Sequence, residues 1–301
     1  MVNKILSKRN IAAAAAKCHM PSLKIIIPKG RLHGQVVDLL NDCGYGIETD
    51  ERVYIPRVID AEIEAKLLKP QNIPRLIELG SHDVGFCGLD WIKETAADVV
   101  EILDLGFNPV RIVAAAPLAF TGKKYGPVVA ASEYETLARS FLEKRFRKYI
   151  FIRTFGATEV FPPDDADIII DNMASGRTLK EHGLKVIATL MTSSTRFVAN
   201  RRAMRDPFKR DKIEQMKILF KAVLDARERV MLEMIVAENK LAAVIKVLPC
   251  MRAPTVSPLF GGKGYAVKTA IKKHEAAGLI TRLKKMGASD ILESEFRKVV
   301  M

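Results

Sequence analysis

Short apolar runs that alternate with amphipathic segments limit the fold of this chain more than any other feature. The run "LKIIIPKG" at residues 23–30 predicts a buried strand, and the apolar residues after it fall on one face of a helix that Gly44 can end. Further strands are predicted at "DVGFCGL", "VRIVAAAP", "YIFIR", "ADIIID" and "KVIATLM", with helices at "IPRLIEL" and "YETLARSFLEKR". Strands that alternate with helices indicate parallel sheets covered on both faces.

This pattern divides the chain into an N-terminal extension and three folded parts. Residues 1–22 loosely resemble a transit peptide, but a disordered extension or an upstream start codon explains so short and arginine-poor a segment better. Residues 23–117 with 196–228 predict a first α/β lobe, and residues 118–195 predict a second lobe across a cleft. A long amphipathic helix is predicted at 211–228.

The last part, residues 229–301, has another order of elements. Strands are predicted at "RVMLEMIV", "PTVSPL", "GYAVKTAI" and near "ILESEF", with helices at "AENKLAAVIKVL" and "HEAAGLITRLKKM". This is the β-α-β-β-α-β order of a ferredoxin-like unit. By analogy alone, a small domain in this place favours a ligand-sensing role.

Composition and charge exclude several classes of protein. The chain has 301 residues, 49% of them hydrophobic, and no apolar run approaches the roughly 18 residues of a membrane span. Four cysteines lie far apart, which predicts reduced core thiols of a cytoplasmic protein: Cys18, Cys43, Cys87 and Cys250. The net charge of +13 fits a solvated basic surface or anionic ligands, and no zinc-finger or basic-zipper pattern supports nucleic-acid binding.

The stretch "DIIIDNMASGRTL" at 167–179 has the residues of a phosphate-binding loop after a strand. Ser175 offers a hydroxyl and an N–H group, Gly176 lets the backbone approach a ligand closely, and Thr178 lies at a helix start, where N–H groups and the helix dipole favour an anion. Asp171, at the strand end, suits sugar hydroxyls or a metal bound to them. Taken alone, the stretch fits an ordinary N-capped turn equally well.

Seven stretches together carry a family resemblance: "LKIIIPKGRL", "KPQNIPRLIELGSHDVGFCGLDWI", "EILDLGF", "RIVAAAP", "GATEVFPPDDADIIIDNMASGRTL", "MTSSTRFVAN" and "LPCMRAPTVSPL". In this order they resemble the ATP phosphoribosyltransferases, which catalyse the first step of histidine biosynthesis, in their long, histidine-regulated form. The resemblance covers essentially residues 23–301. It implies two lobes like those of periplasmic binding proteins around a catalytic cleft, plus a ferredoxin-like (ACT-like) regulatory domain at 229–301.

The resemblance also implies a reaction, in which N1 of the adenine of ATP attacks the anomeric carbon of phosphoribosyl pyrophosphate and pyrophosphate leaves. Positioning and electrostatics should dominate such chemistry. Mg²⁺ is the expected cofactor, held mostly by substrate oxygens, so no protein metal ligand is assigned.

Site residues follow from the resemblance. Arg31, Glu159 and Asp171 are expected to be catalytic. Phosphoribosyl pyrophosphate is expected to contact Asp171, Ala174, Ser175, Gly176, Arg177, Thr178 and Leu179. ATP is expected to contact Lys29, Arg31, Gly88, Leu89 and Asp90.

Other readings stay open for some of these residues. Lys29 and Arg31 fit solvated loop charges, Asp90 fits a helix N-cap equally well, and Glu159 fits a carboxylate at a helix start. Trp91 fits the core better than an adenine platform, and the histidines receive no role.

For regulation, the resemblance implies that L-histidine binds near Glu233, Leu248, Met251, Thr255 and Ser257, although this segment also fits packing between subunits. Dimers that assemble into hexamers are expected. The competing functions are a non-enzymatic solute-binding protein of the same two-lobed fold and a nucleic-acid binder.

Overall fold

The computed structural model describes residues 21–49, 53–122 and 126–301, so the extension predicted at 1–22 lies outside the described residues except for its last two. The described residues form two compact units, the first comprising those up to 41 and those from 45 to 214, and the second comprising residues 42–44 and 215–301. No helix in the described part of the chain is long and apolar enough to cross a membrane.

The first unit contains two five-stranded sheets and a small hairpin. Its strands are β1 (Leu23–Pro28), β2 (Ile47–Glu48), β3 (Arg57–Val58), β4 (Ile63–Leu68), β5 (Val84–Gly88), β6 (Val100–Asp104), β7 (Val110–Pro117), β8 (Val128–Ser132), β9 (Tyr149–Arg153), β10 (Ile168–Met173), β11 (Leu184–Ser193) and β12 (Thr195–Ala199). Its helices are α1 (His33–Cys43), α2 (Ile73–Glu78), α3 (Leu89–Thr95), α4 (Glu135–Arg145) and α5 (Arg177–Glu181), and α6 (Pro207–Arg227) continues into the second unit.

The first sheet has the strand order β4-β1-β5-β12-β6. β1 runs parallel to β4 and β5, while β12 runs antiparallel to β5 and β6. Buried Ile73 and Ile77 of α2 and Ile92 of α3 pack with Ile26 and Val198 of this sheet. Each of these side chains leaves water almost completely, which is worth about 1.5–3 kcal/mol per residue and fixes α2 and α3 against the sheet.

The second sheet has the order β11-β7-β10-β8-β9. The boundary predicted at residue 117 is wrong for β7, because β7 pairs antiparallel with β10 and β11 and so belongs to this sheet. The chain crosses between the sheets at 105–109 and returns at Ser194, between β11 and β12. An apolar run predicts a strand but not the sheet that it joins, which is why the pattern missed this crossing.

Both sheets are mixed and not purely parallel as predicted, because β7, β11 and β12 run against their neighbours. The parallel parts decide where the site lies. β1 and β5 end at one edge of the first sheet, and β8, β9 and β10 end at one edge of the second. The loops after these carboxyl ends carry the polar residues of interest, as in other open α/β sheets.

α6 begins four residues earlier than predicted. Asp206 precedes Pro207, and its carboxylate accepts a hydrogen bond from the N–H of Lys209 at 3.0 Å, as an N-cap does. Proline is favoured at the first position of a helix, because its missing N–H has no partner there in any case. The Asp-Pro pair was therefore a start signal that hydrophobic periodicity alone did not register.

The second unit has a four-stranded antiparallel sheet. Its elements after α6 are β13 (Arg229–Val236), α7 (Glu238–Ile245), β14 (Thr255–Pro258), β15 (Tyr265–Lys272), α8 (Lys273–Lys285) and β16 (Ser289–Glu295), in the sheet order β14-β15-β13-β16. Alternate residues of β13, such as Val230 and Leu232, are buried with Val244 of α7 and Leu283 of α8. The predicted ferredoxin-like unit, and with it the predicted fold class, is confirmed.

Candidate active site

The stretch that resembles a phosphate loop connects β10 to the one-turn helix α5. Gly176 is the N-cap of α5 and has φ = +79°, in the left-handed region where a side chain is strained. Ala174, Ser175 and Thr178 are exposed around it. A helix of five residues has little macrodipole, so backbone N–H groups and the two hydroxyls are what this loop offers an anion.

A pocket with about 720 Å³ of empty space brings this loop together with the three residues predicted to be catalytic. Residues 171–179, Arg31 and Glu159 all line it. Arg31 follows β1, and Glu159 lies in a short 3₁₀ helix at Thr158–Val160. Residues from three separate parts of the chain therefore meet here.

The side chains of two loop residues that line this pocket also make contacts elsewhere. The guanidinium of Arg177 pairs with Glu181 at 2.7 Å one turn along α5 and is largely exposed. Leu179 is buried and packs with Met173 and Leu184 in the core of the second sheet.

Asp171 has an unusual electrostatic environment. Burial raises the pKa of its carboxyl to about 6, the nearby charges of Glu159 and Glu133 raise that pKa as well, and the N–H of Asn172 and the charge of Arg31 oppose the shift. Three acids facing one arginine make the potential here negative. Such a site favours a cationic centre or a metal held by a ligand.

A second pocket, with about 680 Å³ of empty space, lies between the two sheets and shares Arg31 and Asn172 with the first. The guanidinium of Arg31 donates to Oδ1 of Asn172 at 3.1 Å, and Nδ2 of Asn172 donates to Asp171 at 3.1 Å and to the hydroxyl of Tyr134 at 3.5 Å. We call this second pocket the cleft. Its wall includes the ring of Trp91, which is stacked on Tyr134 with ring centroids 4.7 Å apart.

Asp90 ties the two sides of the cleft together. Its buried carboxylate accepts hydrogen bonds from the hydroxyls of Tyr134 at 2.8 Å and of Ser193 at 2.6 Å. The N-cap alternative for Asp90 is wrong, because Gly88 is the N-cap of α3 and Asp90 lies inside its first turn. Burial and the negative charge of Asp90 raise the pKa of the Tyr134 phenol far above its ordinary value, so Tyr134 stays a hydrogen-bond donor.

Position 88 requires glycine because there is no room for a side chain, and not because of its backbone conformation. Its φ of −69° is open to any residue, but a Cβ there would collide with Oδ1 of Asp90 and lie 3.4 Å from Oγ of Ser193. Those atoms are held by the hydrogen bonds just described, so they cannot move away without breaking them. Gly88 therefore lets the Asp90 carboxylate lie against the end of β5.

Leu89 and Lys29 lie outside both pockets. Leu89 packs its side chain against the core of the first sheet, and its N–H donates to the carbonyl of Ser194 at 3.1 Å. The ammonium of Lys29 lies 3.5 Å from the ring centroid of Tyr54, a cation–π contact. Their predicted contacts with ATP stay predictions, and the structure does not bring these two residues to the cleft.

Trp91 packs partly on the core of the second sheet and also lines the cleft, so a role as an adenine platform stays a hypothesis. Sequence reasoning missed Tyr134, Asn172 and Ser193. The signal for Tyr134 was its place just after the apolar strand β8, and Ser193 lay in a stretch used only for the resemblance. Nothing in the spacing predicted that hydroxyls 59 residues apart would share one carboxylate.

No group of three side chains of the types that bind metals is clustered anywhere in the described residues. Asp171 and Glu159 line one pocket with Arg31, which is too few carboxylates, and too close a cation, for a protein cage.

In the second unit, three of the residues predicted to bind histidine share one face of the sheet. Glu233 of β13 lies opposite Lys268 of β15, which lies opposite Thr255 of β14, and Ser257 follows on the same face. Glu233 pairs with Lys268 at 3.0 Å. Met251 is exposed, whereas Leu248 packs against the core on the other side of the sheet.

Comparison with known proteins gives consistent matches along the chain. A family model described as ATP phosphoribosyltransferase matches residues 69–222, and a model described as HisG, C-terminal domain, matches residues 226–298. The ATP phosphoribosyltransferase of Chlorobium phaeovibrioides is 36% identical over 286 residues, which cover 92% of this chain and 97% of that protein. That of Desulforudis audaxviator is 36% identical over 291 residues, with 92% and 99% covered.

A solved structure agrees with these matches. A chain of the ATP phosphoribosyl transferase (HisG:HisZ) complex from Thermotoga maritima aligns with a TM-score of 0.60 and 25% identity, over 66% of this chain and 98% of that one. The sequence relatives cover 92% of this chain, and the C-terminal family model matches nearly all of the ferredoxin-like unit. The chain belongs to the ATP phosphoribosyltransferase family, in the long form that carries the C-terminal domain.

Proposed function

We propose that the cleft and the phosphate-loop pocket together transfer the phosphoribosyl group of phosphoribosyl pyrophosphate to N1 of the adenine of ATP. The products are N1-(5-phosphoribosyl)-ATP and pyrophosphate, as in the first step of histidine biosynthesis. The observation that carries this proposal is that the two pockets share Arg31 and Asn172. Ligands bound in the two pockets would therefore meet at one point.

In this proposal the 5-phosphate of phosphoribosyl pyrophosphate binds the N–H groups and hydroxyls of the loop at 174–178. Asp171 and Glu159 then face the ribose, where they accept from its hydroxyls and favour positive charge at the anomeric carbon. The adenine enters the cleft beside Trp91 and Tyr134, and its N1 attacks the anomeric carbon. The bond to pyrophosphate breaks with its electron pair on the leaving oxygen, beside the Arg31 guanidinium.

The family in general uses a divalent metal. We propose Mg²⁺, held mainly by pyrophosphate and ribose oxygens, with Asp171 and Glu159 as the nearest carboxylates of this chain. Bound there, the metal would neutralise charge on the leaving pyrophosphate.

We further propose two catalytic lobes, at 23–109 with 195–228 and at 110–194, and a regulatory domain at 229–301 that binds L-histidine on the sheet face of Glu233, Thr255 and Ser257. Polar groups from three neighbouring strands lie together on this face, which suits a ligand with both an ammonium and a carboxylate. The assembly proposed is a dimer that forms hexamers.

The reaction itself is tested by incubating the full chain with ATP, phosphoribosyl pyrophosphate and Mg²⁺. We expect saturable release of pyrophosphate and a new nucleotide of altered ultraviolet absorbance, both requiring the two substrates. ATP methylated at N1 is the matched control and should give neither, because the nucleophilic nitrogen is blocked. Pyrophosphate release that continues with the methylated ATP would show another reaction.

Gly176→Ala tests the phosphate loop, and Gly183→Ala is its control at the other end of α5. Both glycines have positive φ, +79° and +66°, so both variants should lose about 1–2 kcal/mol of unfolding free energy. Only Gly176→Ala places a methyl group in the loop, 3.0 Å from Sδ of Met173. It should raise KM for phosphoribosyl pyrophosphate about tenfold or more, a loss of about 1.4 kcal/mol. Equal KM values in the two variants would refute the loop assignment.

Asp171→Asn tests the raised pKa. A carboxyl whose pKa is about 6 when folded and 3.8 ordinarily costs stability above pH 6, and this cost disappears as the pH falls below about 4. At pH 8 the free energy of unfolding of the variant should therefore exceed that of the wild type by roughly 3 kcal/mol, and at pH 4 this difference should largely vanish, as measured by thermal unfolding at the two pH values.

The same carboxyl should act in its ionised form, so wild-type kcat/KM should rise as the pH rises through about 6, and Asp171→Asn should lack this rise. Asp164→Asn, at an exposed acid in the preceding loop, is the control and should change neither property. A wild-type profile that is flat between pH 5 and pH 7 would contradict a role for the Asp171 charge.

Glu233→Ala tests the proposed regulatory face. Its carboxylate is the only acid proposed to meet the ligand's ammonium or imidazole, so its loss should raise the inhibitory concentration of histidine with activity retained. Coupling between sites is typically about 5- to 150-fold, so a shift of this size is expected. Glu295→Ala removes a comparable exposed pairing with Lys273 and is the control. Unchanged inhibition in Glu233→Ala would remove this residue from the site.

A further inference from the structure

The N-terminus of helix α4 lies at the cleft, on the side formed by the second lobe. No side chain at the start of this helix caps its N–H groups. Its N-cap residue, Tyr134, makes no side-chain capping hydrogen bond. The hydroxyl of Ser132 is committed elsewhere, since it donates to the carbonyl of Ile170 at 2.6 Å and accepts from the N–H of Tyr134 at 2.9 Å. The first-turn N–H groups of α4 therefore need an acceptor from outside the helix.

Glu94, from the other sheet's helix α3, is that acceptor. Its Oε1 accepts from the N–H of Thr136 and its Oε2 from the N–H of Leu137, each at 3.0 Å. Thr136 and Leu137 occupy the second and third positions of α4, which are the positions that an N-cap side chain normally satisfies. A carboxylate is well suited to this place, because its charge also complements the helix dipole.

Glu94 and Asp90 lie four residues apart on α3, which places them on one face of the helix. Asp90 accepts from the Tyr134 hydroxyl, and Glu94 accepts from the two N–H groups that follow. Trp91, on the same helix, stacks on the Tyr134 ring. One short helix of the first lobe thus holds the start of α4 at three points.

We propose that Glu94 is a positioning residue: it caps α4 from across the cleft and thereby holds Tyr134 where the cleft binds the nucleobase. If the lobes separate, α4 loses its cap and Tyr134 loses both its acceptor and its stacking partner. The cap therefore favours the arrangement in which the cleft wall is complete. The link to the nucleobase rests on the function proposed above, whereas the link to Tyr134 does not.

The chain supplies its own reporter, because Trp91 is its only tryptophan and lies in the stack that the cap holds. Glu94→Ala, in the full-length protein without substrates, should shift Trp91 emission to longer wavelength as the ring loses Tyr134 and meets water. Glu94→Gln keeps one acceptor oxygen without the charge and should give an intermediate shift. Glu135→Gln removes a carboxylate from the first turn of α4 itself, where it pairs with Arg139 at 2.9 Å, and should leave the emission unchanged.

In the enzyme assay, Glu94→Ala should raise KM for ATP about tenfold, the equivalent of one typical N-cap interaction, with KM for phosphoribosyl pyrophosphate nearly unchanged. Wild-type emission in Glu94→Ala would overturn the proposal. So would equal changes in kcat and in both KM values together with a lower Tm, because those changes mark a general loss of stability. If the chain proved not to use ATP, the emission of the three variants would still decide whether Glu94 holds Tyr134.

Discussion

The carboxylate of Asp90 is the interaction on which the arrangement of the cleft depends. It is almost completely buried, and an unpaired charge in such a place would cost several kcal/mol. Two hydroxyls compensate it, one from Tyr134 after β8 and one from Ser193 at the end of β11. Because these donors belong to the second sheet and Asp90 follows a strand of the first, satisfying one charge also fixes how the two sheets face each other. The need for glycine at position 88 has the same cause, because a Cβ there would collide with the Asp90 carboxylate.

Asp171, unlike Asp90, lies among other acids that make its ionised form unfavourable for stability. Burial and the neighbouring carboxylates Glu159 and Glu133 raise the pKa of Asp171, so its ionised form is unfavourable in the protein alone. A phosphoribosyl ligand that brings a metal and an electron-poor carbon would supply the positive charge that these side chains lack. The site is therefore better matched to its proposed ligands than to water, as is common where function opposes stability.

Much of the fold could be predicted because most strands and helices have local sequence patterns. Burial on both faces of the sheet gives the continuous apolar runs at β1, β5 and β10. Burial on one face gives the alternation of apolar and polar residues along β13. The sheet that β7 joins could not be predicted, since both sheets offer equally apolar neighbours. The start of α6 was predicted late because periodicity was given more weight than the Asp206–Pro207 pair.

The site divides in the same way. Arg31, Glu159 and Asp171 could be placed because they follow strand ends or family motifs, and the structure brings them to one pocket. Tyr134, Ser193 and Glu94 act through contacts between residues that are 40 or more positions apart, and no local pattern encodes such contacts. Leu179 and Arg177 belong to the predicted loop, yet their side chains serve the core and an ion pair, which only the packing reveals.

The position of β12 has a consequence for how the chain folds during synthesis. This strand lies between β5 and β6 in the first sheet, yet it follows every strand of the second sheet in the sequence. While the ribosome is still making residues 105–194, the first sheet lacks an interior strand, and β6 has no hydrogen-bonded neighbour in it. The second sheet is complete as soon as β11 has emerged, before β12 does. The sheet of the second lobe, which is encoded later, can thus form first, contrary to the usual N-terminal-first order. The sheet of the first lobe is completed only when the five residues Thr195–Ala199 emerge.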